Sequence, residues 1–88
     1  MLGPAGELEV IESGKDYSIL AKKNPIFSIH CIKTNECDVI VTTIGGTSAS
    51  FPPGSFVQGA IYHFYIRMVE FEQEKAGFIG YRSIHVDR

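Results

Sequence analysis

The sequence predicts an all-β domain, a small β-sandwich or partly closed barrel of about seven or eight short antiparallel strands. Three observations point there. Isoleucine, valine and threonine together contribute 21 of the 88 residues, against 3 leucines and 5 alanines. β-Branched side chains lose rotamer freedom in a helix and pack well on a pleated surface. Ten aromatic residues push the same way, and the 9 glycines and 4 prolines fall between apolar runs, where turns need them.

Glu7 to Ser13 alternates Glu7, Glu9 and Ile11 with Leu8, Val10 and Glu12, and ends in the turn signal Ser13-Gly14-Lys15-Asp16; it reads as a strand, at an edge. Tyr17 to Ala21 is a second short apolar run, closed by Lys22-Lys23-Asn24-Pro25. Pro25 to Ile32 sets Phe27, Ile29 and Cys31 against Ser28 and His30, the period of a half-buried strand. The polar turn Lys33 to Glu36 leads into Cys37 to Thr43, so residues 26 to 43 read as a hairpin. Gly45-Gly46 marks a second hairpin turn before Thr47 to Phe51, and Pro52-Pro53-Gly54 ends that strand.

Phe56 to Gly59 fits neither period. Ala60 to Val69 is the longest β-like stretch, with Ala60, Tyr62, Phe64, Ile66 and Met68 on one face and Ile61, His63, Tyr65, Arg67 and Val69 on the other. Both faces are largely apolar, which asks for cover from a neighbouring subunit. Glu70 to Lys75 reads as a turn, Ala76 to Tyr81 as the closing strand, and Ser83 to Arg88 as a tail. The whole chain reads as one β domain, residues 1 to 24 being an extended N-terminal arm.

Composition excludes several function classes. The net charge of -2 and the scattered lysines and arginines argue against nucleic acid as a partner. No window carries an apolar run long enough for a membrane helix, and the first residues lack the pattern of an export signal. His30, His63 and His85 share no i, i+2 or i, i+4 spacing; with Glu9, Glu12 or Asp38 they give a weak metal signal, and no metal or cofactor is expected. Cys31 and Cys37 flank a turn within disulfide reach, and burial statistics favour two small core thiols. No nucleophile elbow, phosphate loop or carboxylate pair stands out, so the chain is expected not to be an enzyme.

The order of signals from Pro25 onward carries a resemblance. Phe27-Ser28-Ile29-His30-Cys31-Ile32 and a polar turn precede Cys37-Asp38-Val39-Ile40-Val41-Thr42-Thr43, Gly45-Gly46-Thr47 and Phe51-Pro52-Pro53-Gly54. Gly59 to Val69 and Ala76-Gly77-Phe78-Ile79-Gly80-Tyr81 follow. This resembles the small head-spike base and capsid-decoration proteins of tailed bacteriophages and gene transfer agents. It departs from them at His63, where a proline is usual, and at Glu70 to Lys75, where a Thr- and Gly-rich turn is usual.

The resemblance implies a structural virion protein made in the host cytoplasm. It would form a symmetric homo-oligomer, a trimer being favoured, that decorates a capsid or anchors a spike or fibre through contacts with capsid or fibre proteins. Ile61, Tyr65 and Phe71 are the expected interface residues; Phe27, Ile29, Val39, Val41, Tyr62, Phe64 and Ile66 are the expected core. The alternative is a small β-barrel that binds carbohydrate or another ligand, with Tyr17, Tyr62, Tyr65 or Tyr81 as stacking platforms.

Overall fold

The computed structural model describes residues 5–17 and 25–83. Its seven strands are β1 (Ala5–Val10), β2 (Ile26–Lys33), β3 (Val39–Thr43), β4 (Ser48–Phe51), β5 (Ile61–Tyr62), β6 (Ile66–Glu70) and β7 (Gly77–Ser83). All pairings are antiparallel, as the composition predicts, and the order is β1-β7-β2-β6-β3-β4, with β5 also on β2. The ladder stays open, since β1 and β4 are not paired with each other.

The sheet works as two leaves. One is β1-β7-β2-β5 and the other β6-β3-β4, and they share a single rung, Ile26 opposite Ile66. Irregularities at Ile26/Ser28 in β2 and at Thr42/Thr43 against β6 supply the bends that let the leaves face each other. Between them lies one core: Ile11, Tyr17, Ile26, Ile29, Cys31, Val39, Val41, Phe56, Ile66, Val69, Ala76 and Phe78.

Two readings of the sequence are corrected here. Residues 26 to 43 do not form a hairpin, because β6 comes between β2 and β3. The turn before β3 is instead a crossing held by the buried Asn35. Its Nδ2 donates to the carbonyls of Cys37 and Pro52, and its Oδ1 accepts from the Phe56 amide, each at 2.9 Å. Ala60 to Val69 is likewise not one strand. It breaks at residues 63–65, β5 staying on β2 while β6 passes to β3, and the extra residue Arg67 shifts the alternation so that Ile66 and Val69 are both buried.

The irregularity in β2 also revises one core assignment. Ile29, Val39, Val41 and Ile66 are buried as expected, and Tyr62 and Phe64 pack on the core from its margin. Phe27 is half-buried because it is the extra residue between Ile26, which turns into the core, and Ser28, whose register partner is Tyr81. Phe56, which showed no period in the sequence, is a centre of the core. Its ring meets Phe51, Tyr62 and Phe78 at 5.0, 4.9 and 5.2 Å between centroids.

The turns follow their chemistry. Gly46, at φ 92°, closes a three-residue loop in which its amide donates to Thr43 and the Thr43 amide donates to Thr47. Gly45 does not share that positive φ. Pro52 to Ser55 turns with Gly54 at φ 83° in the third position, where a type II turn requires it. Glu72 to Lys75 is a turn as expected, closed by the Lys75 amide on the Glu72 carbonyl.

The described part of the N-terminal arm is built into the domain. After β1, the Ile11 amide donates to Phe78; the chain then turns at Gly14 and lies along β6, where the amides of Gly14 and Tyr17 donate to Val69 and Arg67. Residues 11–17 thus fill the wedge that opens where β6 diverges from β2. Tyr17 pins this strap, its hydroxyl accepting from the Glu12 amide and donating to the Val10 carbonyl. Residues 18–21 of the second apolar run lie outside the described residues.

Candidate interaction surface

Each leaf has an inner face on the core and an outer face, and the two outer faces differ in chemistry. On β4-β3-β6 the outward cross-strand rows are Ser50–Ile40–Glu70 and Ser48–Thr42–Met68. They carry hydroxyls and a carboxylate, and the Thr42 and Ser48 hydroxyls bond to each other at 2.8 Å. That is an ordinary hydrated sheet surface.

The other leaf is different. Register places Val10, Ile79, His30 and Ile61 in one outward row across β1, β7, β2 and β5, and Leu8, Tyr81 and Ser28 in the next. Ile32 adds to this face, because Gly77 beneath it has no side chain; a Cβ there would lie 3.0 Å from Ile32 Cγ1. Leu8, Val10 and Ile61 are 66%, 67% and 51% exposed. No Asp, Glu, Lys or Arg stands in either row.

Two polar side chains of this face meet each other. His30 Nδ1 and the Tyr81 hydroxyl are 2.8 Å apart, and Ser28 is buried. At the rim, the Lys33 ammonium turns to the Glu74 carbonyl and lies 3.9 Å from Glu36. On the inner side of the same leaf the buried Arg82 faces Glu9, Nε to Oε1 3.4 Å. The Glu9 carboxylate is thereby turned away from the apolar face.

Beyond Val10 and Ile32 the face runs into a cavity of about 350 Å³, whose wall includes Phe71, Ala76 and Phe78. This places the three expected interface residues. Ile61 stands in the exposed row, and Tyr65, 56% exposed, sits in the link between β5 and β6. Phe71 is half-buried, packed edge-on against Phe78 at 5.6 Å and lining the cavity. The larger part of the surface, Leu8, Val10, Ile32 and Ile79, was not singled out from the sequence. Its members come from three strands distant in the chain, and the pairing alone brings them together.

Other chemistry is sparse. Tyr17 is buried with its hydroxyl engaged and so is no stacking platform, and the Tyr62 hydroxyl accepts from the Val57 amide. Cys31 and Cys37 are both free thiols, on strands and turns that do not pair, and burial pushes the Cys31 thiol above its ordinary range. Among the described residues no group of three or more His, Cys, Asp or Glu is placed to hold a metal ion, and no helix is long and apolar enough to cross a membrane. His85 lies outside the described residues. Compared with protein-family models, with curated proteins and with solved structures, the chain finds no match in any of the three.

Proposed function

We propose that this chain is a non-enzymatic structural module that works by burying the outer face of β1-β7-β2-β5 against other protein. The observation that carries the reading is the contrast between the two outer faces of one small domain. A solvated sheet surface is expected to look like the hydroxyl-bearing leaf; a row of Val10, Ile79, His30 and Ile61, with no Asp, Glu, Lys or Arg, is what a contact surface looks like.

The resemblance of its turn and strand order to head-spike base and capsid-decoration proteins gives that contact a setting. In this reading the protein is a virion component made in the host cytoplasm. It assembles as a symmetric homo-oligomer and decorates a capsid or anchors a spike or fibre, with Ile61, Tyr65 and Phe71 at or beside its contacts. The test is the native mass of the purified chain, together with its copurification with particles when it is co-expressed with the capsid and fibre chains of its own genome. A defined oligomer that co-sediments with particles supports the reading. A monomer at 100 µM that stays in the supernatant overturns it.

A further inference from the structure

We infer that the occupant of the apolar face is a second copy of this chain, the β1-β7-β2-β5 leaves of two copies stacking face to face across a two-fold axis. This rests on the reading of that face as a contact surface and adds the partner and the geometry. Three properties of the face select a second copy.

The first is charge. A face with no Asp, Glu, Lys or Arg in its rows Val10–Ile79–His30–Ile61 and Leu8–Tyr81–Ser28 has nothing with which to recognise a charged partner. Stacked on its own image, it brings no Asp, Glu, Lys or Arg of these rows against a like charge. An isologous contact requires that self-compatibility.

The second is hydrogen bonding. Buried polar groups at an interface must find partners, and a foreign surface would have to supply them. Here the His30 ring nitrogen and the Tyr81 hydroxyl, 2.8 Å apart, partner each other within one copy. Two such faces close on each other without leaving that pair unmet.

The third is size. Four strands about 4.8 Å apart and about five residues of about 3.4 Å rise give a patch that, with its side-chain relief, offers on the order of 500 Å². Two copies would bury about 1,000 Å², the lower bound of a specific interface, and sheets stacked at about 10 Å meet that geometry. An interface at that lower bound would be strengthened by the further contacts a larger assembly supplies.

The experiment is sedimentation equilibrium of the full chain from 5 to 500 µM, with Val10→Lys and Ile61→Lys on the face and Ser50→Lys on the opposite leaf as control. All three positions are exposed, so the variants retain the core, which circular dichroism checks. The expected result is a monomer–dimer equilibrium in the wild type and in Ser50→Lys, weakened at least tenfold by either face variant. A wild-type amide-shift dilution series needs no variant. It should move the amides of Leu8, Val10, His30, Ile61, Ile79 and Tyr81, and leave those of Thr42, Ser48 and Ser50 still.

An oligomer that survives both face variants, or dilution shifts centred on β3 and β4, overturns the stacked pair while leaving a structural homo-oligomer standing. A wild type that is monomeric at 500 µM overturns the stacked pair; if it still co-sediments with particles, the face belongs to another protein. Monomer and supernatant together remove the functional reading as well.

Discussion

Asn35 and Gly80 show how much of this fold hangs on single residues. Asn35 is buried in a crossing loop, where its amide completes the hydrogen bonding of Cys37, Pro52 and Phe56. Asn35→Ala leaves the buried Phe56 amide without its acceptor and should cost about 3 kcal/mol, read as a lower denaturant midpoint with an unchanged slope. Gly80 sits in β7 beneath the core, where a Cβ would come within 2.9 Å of both Ile11 Cδ1 and Ile26 Cδ1. Gly80→Ala should therefore destabilise by about 1–3 kcal/mol, in contrast to the same change at an open strand position.

Cys31 gives a pH dependence with a definite sign. Burial raises its thiol, so the fold favours the protonated form. The stability this contributes is fully present below the unfolded thiol's pKa of about 8.5 and is lost as pH rises above that toward the folded value. The urea midpoint of the wild type should fall more steeply between pH 8 and 10 than that of Cys31→Ala. Parallel profiles would show that the thiol ionises equally in both states.

At the scale of elements, the strap of residues 11–17 is the informative piece. It continues β1 along β7 and then changes leaf to lie on β6, with the Tyr17 hydroxyl holding the corner. Tyr17→Phe removes two hydrogen bonds at no cost in volume and should lower stability by about 1–2 kcal/mol. Amide exchange should then quicken at Gly14 and Tyr17 ahead of the β3–β4 hairpin. Equal acceleration throughout would mean that the strap unfolds with the rest.

Local signals in the sequence located five of the seven strands to within a few residues and ran β5 and β6 together, because Gly46, Pro52-Pro53-Gly54 and the β-branched runs act over short distances. What they could not supply was pairing. A polar turn between two apolar runs looks the same whether the runs are neighbours or, as here, have β6 between them. Likewise the break at residues 63–65 falls inside a continuous β-like stretch, one end of which pairs with β2 and the other with β3. The candidate surface was legible at Ile61 and hidden at Leu8, Val10, Ile32 and Ile79, since a face shared by four strands exists only once register is set. Asn35 was hidden for the same reason: among Lys33, Thr34 and Glu36 it looks like any turn residue.

For the molecule as a whole, the described residues enclose one core between two leaves joined at a single rung, Ile26 with Ile66, and by the strap. Both leaves contribute to that core, Val39, Val41 and Val69 from one and Ile29, Cys31 and Phe78 from the other, so neither can keep its inner face dry alone. Unfolding should be cooperative, with the near- and far-ultraviolet signals of the wild type coinciding on heating. A leaf that melted first, leaving two separate transitions, would show that the shared rung and strap transmit less than the packing implies.

Such a body has a wettable side and a greasy side. When it settles on another surface by the greasy one, every copy must present Thr42, Ser48 and Ser50 to the water, so its orientation needs no dedicated lock. Dyes sensitive to polarity would tell the two sides apart after assembly: one attached at Ser50 should keep the emission of a hydrated probe, and one attached at Leu8 should shift to the blue.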